Sequence, residues 1–151
     1  VSFKIEFAPG NKLMEKSIRN ISPDMKGGIR IGFFAVGSQL RHTARLQMLE
    51  KKTGRLYAVP GRSRRVRASA PGESPASRTG ELRRSIGYQI SGDSMQFGAG
   101  GRGSGVNYAN FLEEGTKNMK ARPLLLNAVT TNEAKIQTLF NDAIAKKLKA
   151  S

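Results

Sequence analysis

Between Ile29 and Met48 the apolar side chains recur at three- and four-residue steps, as Ile29, Phe33, Val36, Leu40, Ala44 and Met48. A helix puts such a series on one face, and a strand does not. The pattern predicts a long amphipathic helix from about Met25 to Thr53, with Pro23 suited to its start. Arg30, Arg41, Arg45 and Lys52 mostly fall elsewhere on the wheel. Gly54 reads as its C-cap, with Lys51 and Lys52 placed against the helix dipole. Gly27, Gly28, Gly32 and Gly37 each weaken it by about 1 kcal/mol relative to alanine. Either the start frays, or the glycines admit close contact with another element.

A second long helix is expected near the C-terminus. Pro123 opens it at its first turn, and it extends to about Leu148. Its apolar stripe is Leu125, Ala128, Val129, Ile136, Leu139, Phe140 and Ile144. Strand signals are shorter. Residues 2–7, SFKIEF, alternate strictly, and Ile86, Tyr88 and Ile90 do the same. The turn SGD and the return SMQFGAG, with Met95 and Phe97, complete an antiparallel hairpin. Residues 11–20 read as a weak short helix, GGRGSGVN as a flexible loop, and Thr79 as the cap of a single turn. The segment about 55–80 is rich in Arg, Pro and Gly and poor in apolar residues. Tyr57, Val59 and Val66 support a short hairpin or an extended arm there, and SAPGESPAS reads as a solvated loop. The sum is an α+β fold in a single domain, 1–151. The long N-terminal-half helix and the C-terminal helix pack on a small, mostly antiparallel sheet, with a flexible basic arm at about 55–80.

Charge comes next. With 26 Lys and Arg against 11 Asp and Glu, the formal net charge is +15. A chain of 16.4 kDa so charged is drawn to polyanions or to an acidic protein face. There is no cysteine, which excludes disulfides, thiolate metal sites and a cysteine nucleophile. No apolar run approaches the ~18 residues of a membrane span, and no secretory signal core is expected after Lys4.

Candidate chemistry is sparse. His42, the only histidine, has no acid three or four residues away and reads as a helix-surface or interface residue. Glu113 and Glu114 are adjacent, so on a helix they point about 100° apart and do not converge as an acid–base pair. They suit salt bridges to Lys117, Lys120 or Arg122, within or between subunits. GAGGRGSG lacks the strand–GxxxxGK[ST]–helix order of a phosphate loop. GRSRRVRAS, with Arg62, Arg64, Arg65 and Arg67, is the densest basic segment. It suits an acidic protein neighbour, nucleic acid or solvent, and no aromatic interleaving selects bases. No nucleophile, metal set or cofactor loop is assigned. YANFLEEGTKNMKARPLLLNAV, 108–129, reads as a corner. A short helix ends at Gly115, a basic loop crosses, and Pro123 starts the final helix. Tyr108 and Phe111 are expected to anchor it on the core.

Two stretches in this order, ASAPGESPASRTGELRRSI and YANFLEEGTKNMKARPLLLNAV, resemble the tail-completion, or head–tail joining, proteins of long-tailed bacteriophages (the HK97 gp10-like family). Ala70, Pro71, Gly72, Pro75, Thr79, Gly80, Leu82, Ser85 and Ile86 match an APGxxPxxxTGxLxxSI element. Tyr108, Ala109, Glu113 or Glu114, Gly115, Thr116, Ala121, Arg122, Pro123 and Leu124 to Leu126 match the second pattern. The resemblance covers about 68–129. It implies a non-enzymatic virion component without cofactor, located at the head–tail junction and in the host cytoplasm during assembly. The implied state is a homo-oligomeric ring, hexamer or dodecamer, that meets the connector or adaptor and the tail terminator. Contact with packaged DNA in its lumen stays open, and no membrane is involved. A basic DNA-binding or packaging-associated phage protein is the alternative. One departure is the arginine-rich approach to APG, whose role the resemblance leaves open.

Overall fold

The computed structural model describes residues 2–6, 23–58, 61, 63, 65–100 and 108–149, of which 3–6, 24 and 148 by backbone alone. The expected short helix at 11–20, the loop GGRGSGVN, Val59, Arg62 and Arg64 lie outside the described residues. In chain order the elements are β1 (Ser2–Glu6), α1 (Pro23–Gln47), β2 (Leu56–Ala58), β3 (Arg65–Arg67), α2 (Glu81–Ser85), β4 (Gly87–Ser91), β5 (Ser94–Gly98), α3 (Ala109–Glu114) and α4 (Leu125–Lys149). The fold is α+β, with two long helices and two small antiparallel sheets.

The larger sheet has the order β1–β5–β4. β4 and β5 turn about Gly92 and Asp93, with Ser91 paired to Ser94 and Tyr88 to Phe97. Gly92 has φ 59°, the left-handed geometry that a two-residue hairpin turn requires. β1 runs antiparallel to β5 on its other side, with Phe3 opposite Phe97. β2 and β3 form a separate hairpin in which Tyr57 faces Val66.

α1 lies between α4 and the larger sheet, in contact with α4, β4 and β5. Its whole expected stripe, Ile29 to Met48, is buried. Met95 and Phe97 of β5 are fully buried under it. α4 runs antiparallel to α1, with Ile144 beside Gly28, Phe140 beside Gly32 and Asn132 beside Gln39. Leu125 and Ala128 are buried, while Val129, Ile136, Leu139, Phe140 and Ile144 pack on the core half-covered. The glycines of α1 explain this geometry. A Cβ at Gly32 would sit 2.6 Å from the Phe140 ring, and one at Gly37 would sit 2.6 Å from the Tyr88 ring and 2.8 Å from Met95 Sδ. Close contact, not fraying, is the use of Gly32 and Gly37.

Polar groups also set the helix pairing. Asn132, buried on α4, donates to Thr43 Oγ1 (3.0 Å) and Ala128 O (2.8 Å) and accepts from Gln39 Nε2 (3.0 Å). Gln47 Nε2 reaches Thr131 Oγ1 at 3.0 Å. A satisfied buried amide fixes register, because sliding the helices would leave it unpaired. Arg45, whose basicity is lowered first by burial and then by Arg41 and Arg83, ties α1 to the α2–β4 junction. Its Nε donates to Arg83 O at 3.2 Å and its Nη2 to Ile86 O at 3.3 Å.

Two sequence expectations are corrected. α1 ends at Gln47 instead of near Thr53. Its last carbonyls are taken from outside the ladder, Gln47 O by Lys52 Nζ (2.6 Å) and Met48 O by the Ser77 amide (3.2 Å). Gly54 is therefore no C-cap. It is where the chain crosses itself, since a Cβ there would lie 2.6 Å from Ala68 O and 2.7 Å from the Ser69 carbonyl. The other correction concerns SAPGESPAS, which is not a solvated loop. Ser69, Ser74 and Pro75 are buried, and only part of the segment, such as Pro71 and Gly72, is exposed.

The glycine account makes a paired prediction. Gly37→Ala should lower the unfolding free energy by about 1–3 kcal/mol, because the added methyl overpacks the Tyr88–Met95 contact. At Gly28 a Cβ would meet Ile144 at an ordinary 3.5 Å. Gly28→Ala should therefore gain up to about 1 kcal/mol of helix propensity. Urea denaturation of both variants checks this; equal effects would refute it.

Candidate partner-binding site

α3 begins the corner. Ala109 is buried and Leu112 is half-buried against the core. Tyr108 and Phe111 are instead 40% and 57% exposed, so the expected aromatic anchoring is corrected. The six-residue helix presents Ala109 and Leu112, three apart, to the interior, and Phe111 falls on the opposite face. Gly115 ends it at φ 81°, its amide donating to Phe111 O at 3.0 Å. Thr116 and Met119 then exchange backbone bonds across a tight turn whose tip is Lys117 and Asn118. The chain returns beside α3, with Arg122 N donating to Leu112 O at 2.7 Å. No side chain larger than hydrogen fits at Gly115, because a Cβ would meet Ala121 N and Met119 O at 2.8 Å.

Glu113 closes the corner. Its Oε2 accepts from the amides of Leu124 (2.8 Å) and Leu125 (3.1 Å), and its Oε1 from Leu126 (2.8 Å). These are amides that the first turn of α4 cannot satisfy within the helix. A carboxylate there also meets the positive end of the helix dipole. Glu113 thus caps a helix from eleven to thirteen residues upstream. The two adjacent acids divide their roles, since Glu114 is exposed. Lys117 and Lys120 are exposed as well.

The first motif docks on this corner. Gly72 N donates to Ala121 O (2.9 Å), and Gly72 O accepts from Asn127 Nδ2 (3.0 Å). Ser74 Oγ bonds Gln47 Oε1 at 3.2 Å and Pro123 O at 3.3 Å. Glu73 is a second clasp. Its carboxylate accepts from Ala70 N (2.8 Å), Thr53 N (3.2 Å) and the Thr53 hydroxyl. The Thr53 hydroxyl first, then the Ala70 amide, hold its pKa below the usual carboxylate value. Gly72 and Gly80 adopt φ 83° and 82°, and Leu82 is buried. Thr79 Oγ1 accepts from Glu81 N at 3.4 Å at the start of α2.

An open cleft of about 490 Å³ lies between the two motifs. Buried Met48 and Leu82 and exposed Tyr108 line it, together with Tyr57 and two arginines. Arg78 is exposed, its guanidinium carbon 5.7 Å from the Tyr57 ring centroid. Arg122 is half-buried, and its Nε is buried with no hydrogen-bond partner among the described residues. An unpaired buried donor of this kind costs about 1–3 kcal/mol. Arg65 and Arg67 stand outside the cleft, exposed on β3, with Arg67 Nη1 donating to Gly54 O at 3.1 Å.

His42 is exposed on α1. Among the described residues no group of three His, Cys, Asp or Glu is placed to hold a metal ion, and no helix is long and apolar enough to cross a membrane. No protein-family model, curated protein or solved structure matches the chain.

The sequence reading missed the clasp made by Glu73 and the helix cap made by Glu113. One signal for Glu113 is visible afterwards: no Ser, Thr, Asp or Asn directly precedes Leu124, so the helix needs a distant cap.

Glu113→Ala should cost about 2 kcal/mol by stranding the α4 amides, whereas Glu114→Ala should stay within about 0.5 kcal/mol. Chemical denaturation measures both, and a neutral Glu113→Ala would overturn the cap. Glu73 makes a pH prediction. Its folded pKa lies below its unfolded one, so its contribution is complete above the unfolded pKa and is lost as pH falls through the folded pKa. The Tm advantage of the wild type over Glu73→Gln should accordingly shrink as the solution is acidified below the usual carboxylate range. A difference that stays constant from neutral to acid pH would contradict the clasp.

Proposed function

We propose that this chain is a structural protein of a tailed-bacteriophage neck. It assembles as a ring that completes the tail interface and joins it to the head connector. The observation that carries this reading is the meeting of the two resembling stretches in one corner, joined at Gly72 N to Ala121 O. Several residues of the shared pattern stand where the corner demands their chemistry. Gly72, Gly80 and Gly115 have positive φ, Pro75 and Leu82 are buried, and Glu113 caps α4. The fold the pattern encodes is a rigid corner carrying exposed Tyr108, Phe111, Glu114, Lys117 and Lys120, which suits a subunit whose work is contact. A ring also needs two different faces that meet when it closes. The Arg65–Arg67 hairpin and this corner are the candidates.

A second reading, a basic DNA-binding or packaging-associated protein, is favoured by the charge of +15 and the exposed Arg65 and Arg67.

Glu113 is committed to α4 within its own chain, so charge reversal there tests folding more than assembly. Glu114→Lys is the informative change. Native mass spectrometry of the protein mixed with connector and terminator proteins is expected to give a hexamer or dodecamer. Glu114→Lys should deplete it while leaving the Tm unchanged. A monomer under every such condition, together with DNA binding that weakens steeply with salt, would replace this reading with the second.

A further inference from the structure

The cleft between the two motifs carries an inference independent of the neck reading. We infer that it is a docking site for an acidic peptide segment of another protein, one that brings a carboxylate beside an apolar side chain.

Three observations point there. Arg122 lines the cleft, and its buried Nε has no acceptor among the described residues. A guanidinium has a planar fork of donors matched to a carboxylate, and Arg122 brings one to the wall of the cleft. Arg78 stands at the exposed side of the same cleft, held over the Tyr57 ring, so a second cation is already oriented. The same cleft is lined by buried Met48 and Leu82 and half-buried Leu112, apolar groups that suit an apolar side chain.

The lining also separates occupants. Glu81 is exposed at the cleft, and a carboxylate there repels a continuous phosphate backbone while tolerating one acid flanked by apolar groups. The scaffold is rigid where the site needs it. Arg122 N is bonded to Leu112 O, and Ser77 N to Met48 O. The cleft is thus formed before any partner arrives, and binding orders little besides two arginine side chains.

Fluorescence anisotropy at physiological ionic strength tests this with a short fluorescein-labelled peptide that carries a single Glu flanked by Phe. The same peptide with Gln for Glu, and a labelled DNA duplex, serve as comparators. The Glu peptide should bind more tightly than the Gln peptide. Arg122→Met and Arg78→Gln should each weaken it at least about tenfold, while Arg30→Gln on the far part of α1 changes it less than about twofold. Arg122→Met should also keep or raise the Tm, since it removes an unpaired buried donor, a signature that a purely structural arginine would not give. Arg78→Gln alters an exposed side chain and keeps the test valid if Arg122→Met does not fold. Peptide affinity unchanged in Arg78→Gln, equal binding of the Gln peptide, or an equal loss of duplex binding in both variants would each overturn the inference. So would loss of self-association in Arg78→Gln by sedimentation velocity, which would make a second copy the occupant.

Discussion

A helix that packs against another helix on one side and a sheet on the other must be slim on both. α1 meets that demand with single hydrogen atoms at Gly32, beneath Phe140, and at Gly37, beneath Tyr88 and Met95. The rest of the molecule is arranged around this approach. Phe33 can then stack on Phe140 at 5.1 Å between centroids. Tyr88 can cover Gly37 while its hydroxyl pairs with Ser38 at 2.9 Å. Bulk at these positions would separate the layers and open voids beside the buried stripe, and each void forfeits dispersion contacts on both walls.

The two carboxylates beyond the end of α1 do different work from what adjacent acids and bases first imply. Glu113 accepts from three backbone amides, and Glu73 from two and the Thr53 hydroxyl. The groups left available at the corner are Glu114, Lys117 and Lys120, together with the arginines of the cleft. Among the described acids, Glu50, Glu81, Asp93, Glu114, Glu133 and Asp142 remain exposed, so the cationic surface is interspersed with carboxylates.

Legibility followed locality. The stripe from Ile29 to Met48 could be read because helical period is a local property, and so could the turn at Gly92 and Asp93. The end of α1 could not, because Met48, Glu50, Lys51 and Lys52 are all good helix formers. What stops the helix is a strand of chain arriving from Ser77, together with the reach of Lys52. SAPGESPAS looked solvated because its composition is that of a loop, yet Ser74 finds partners on Gln47 and Pro123 that no local pattern announces. Asn132 and Gln39 look like surface polar residues until the two helices are laid together. The cleft is a product of two stretches about forty residues apart, and only their docking reveals it.

The pairing of elements far apart in sequence has a kinetic side. Gln39 and Asn132 are 93 residues apart, and the Ser2–Gln96 contact joins residues 94 apart. Contacts this distant in sequence form only after a long loop has closed, a step whose entropy cost comes before its reward. During synthesis, α1 leaves the ribosome long before α4, and its buried face has only β4 and β5 to cover it until then.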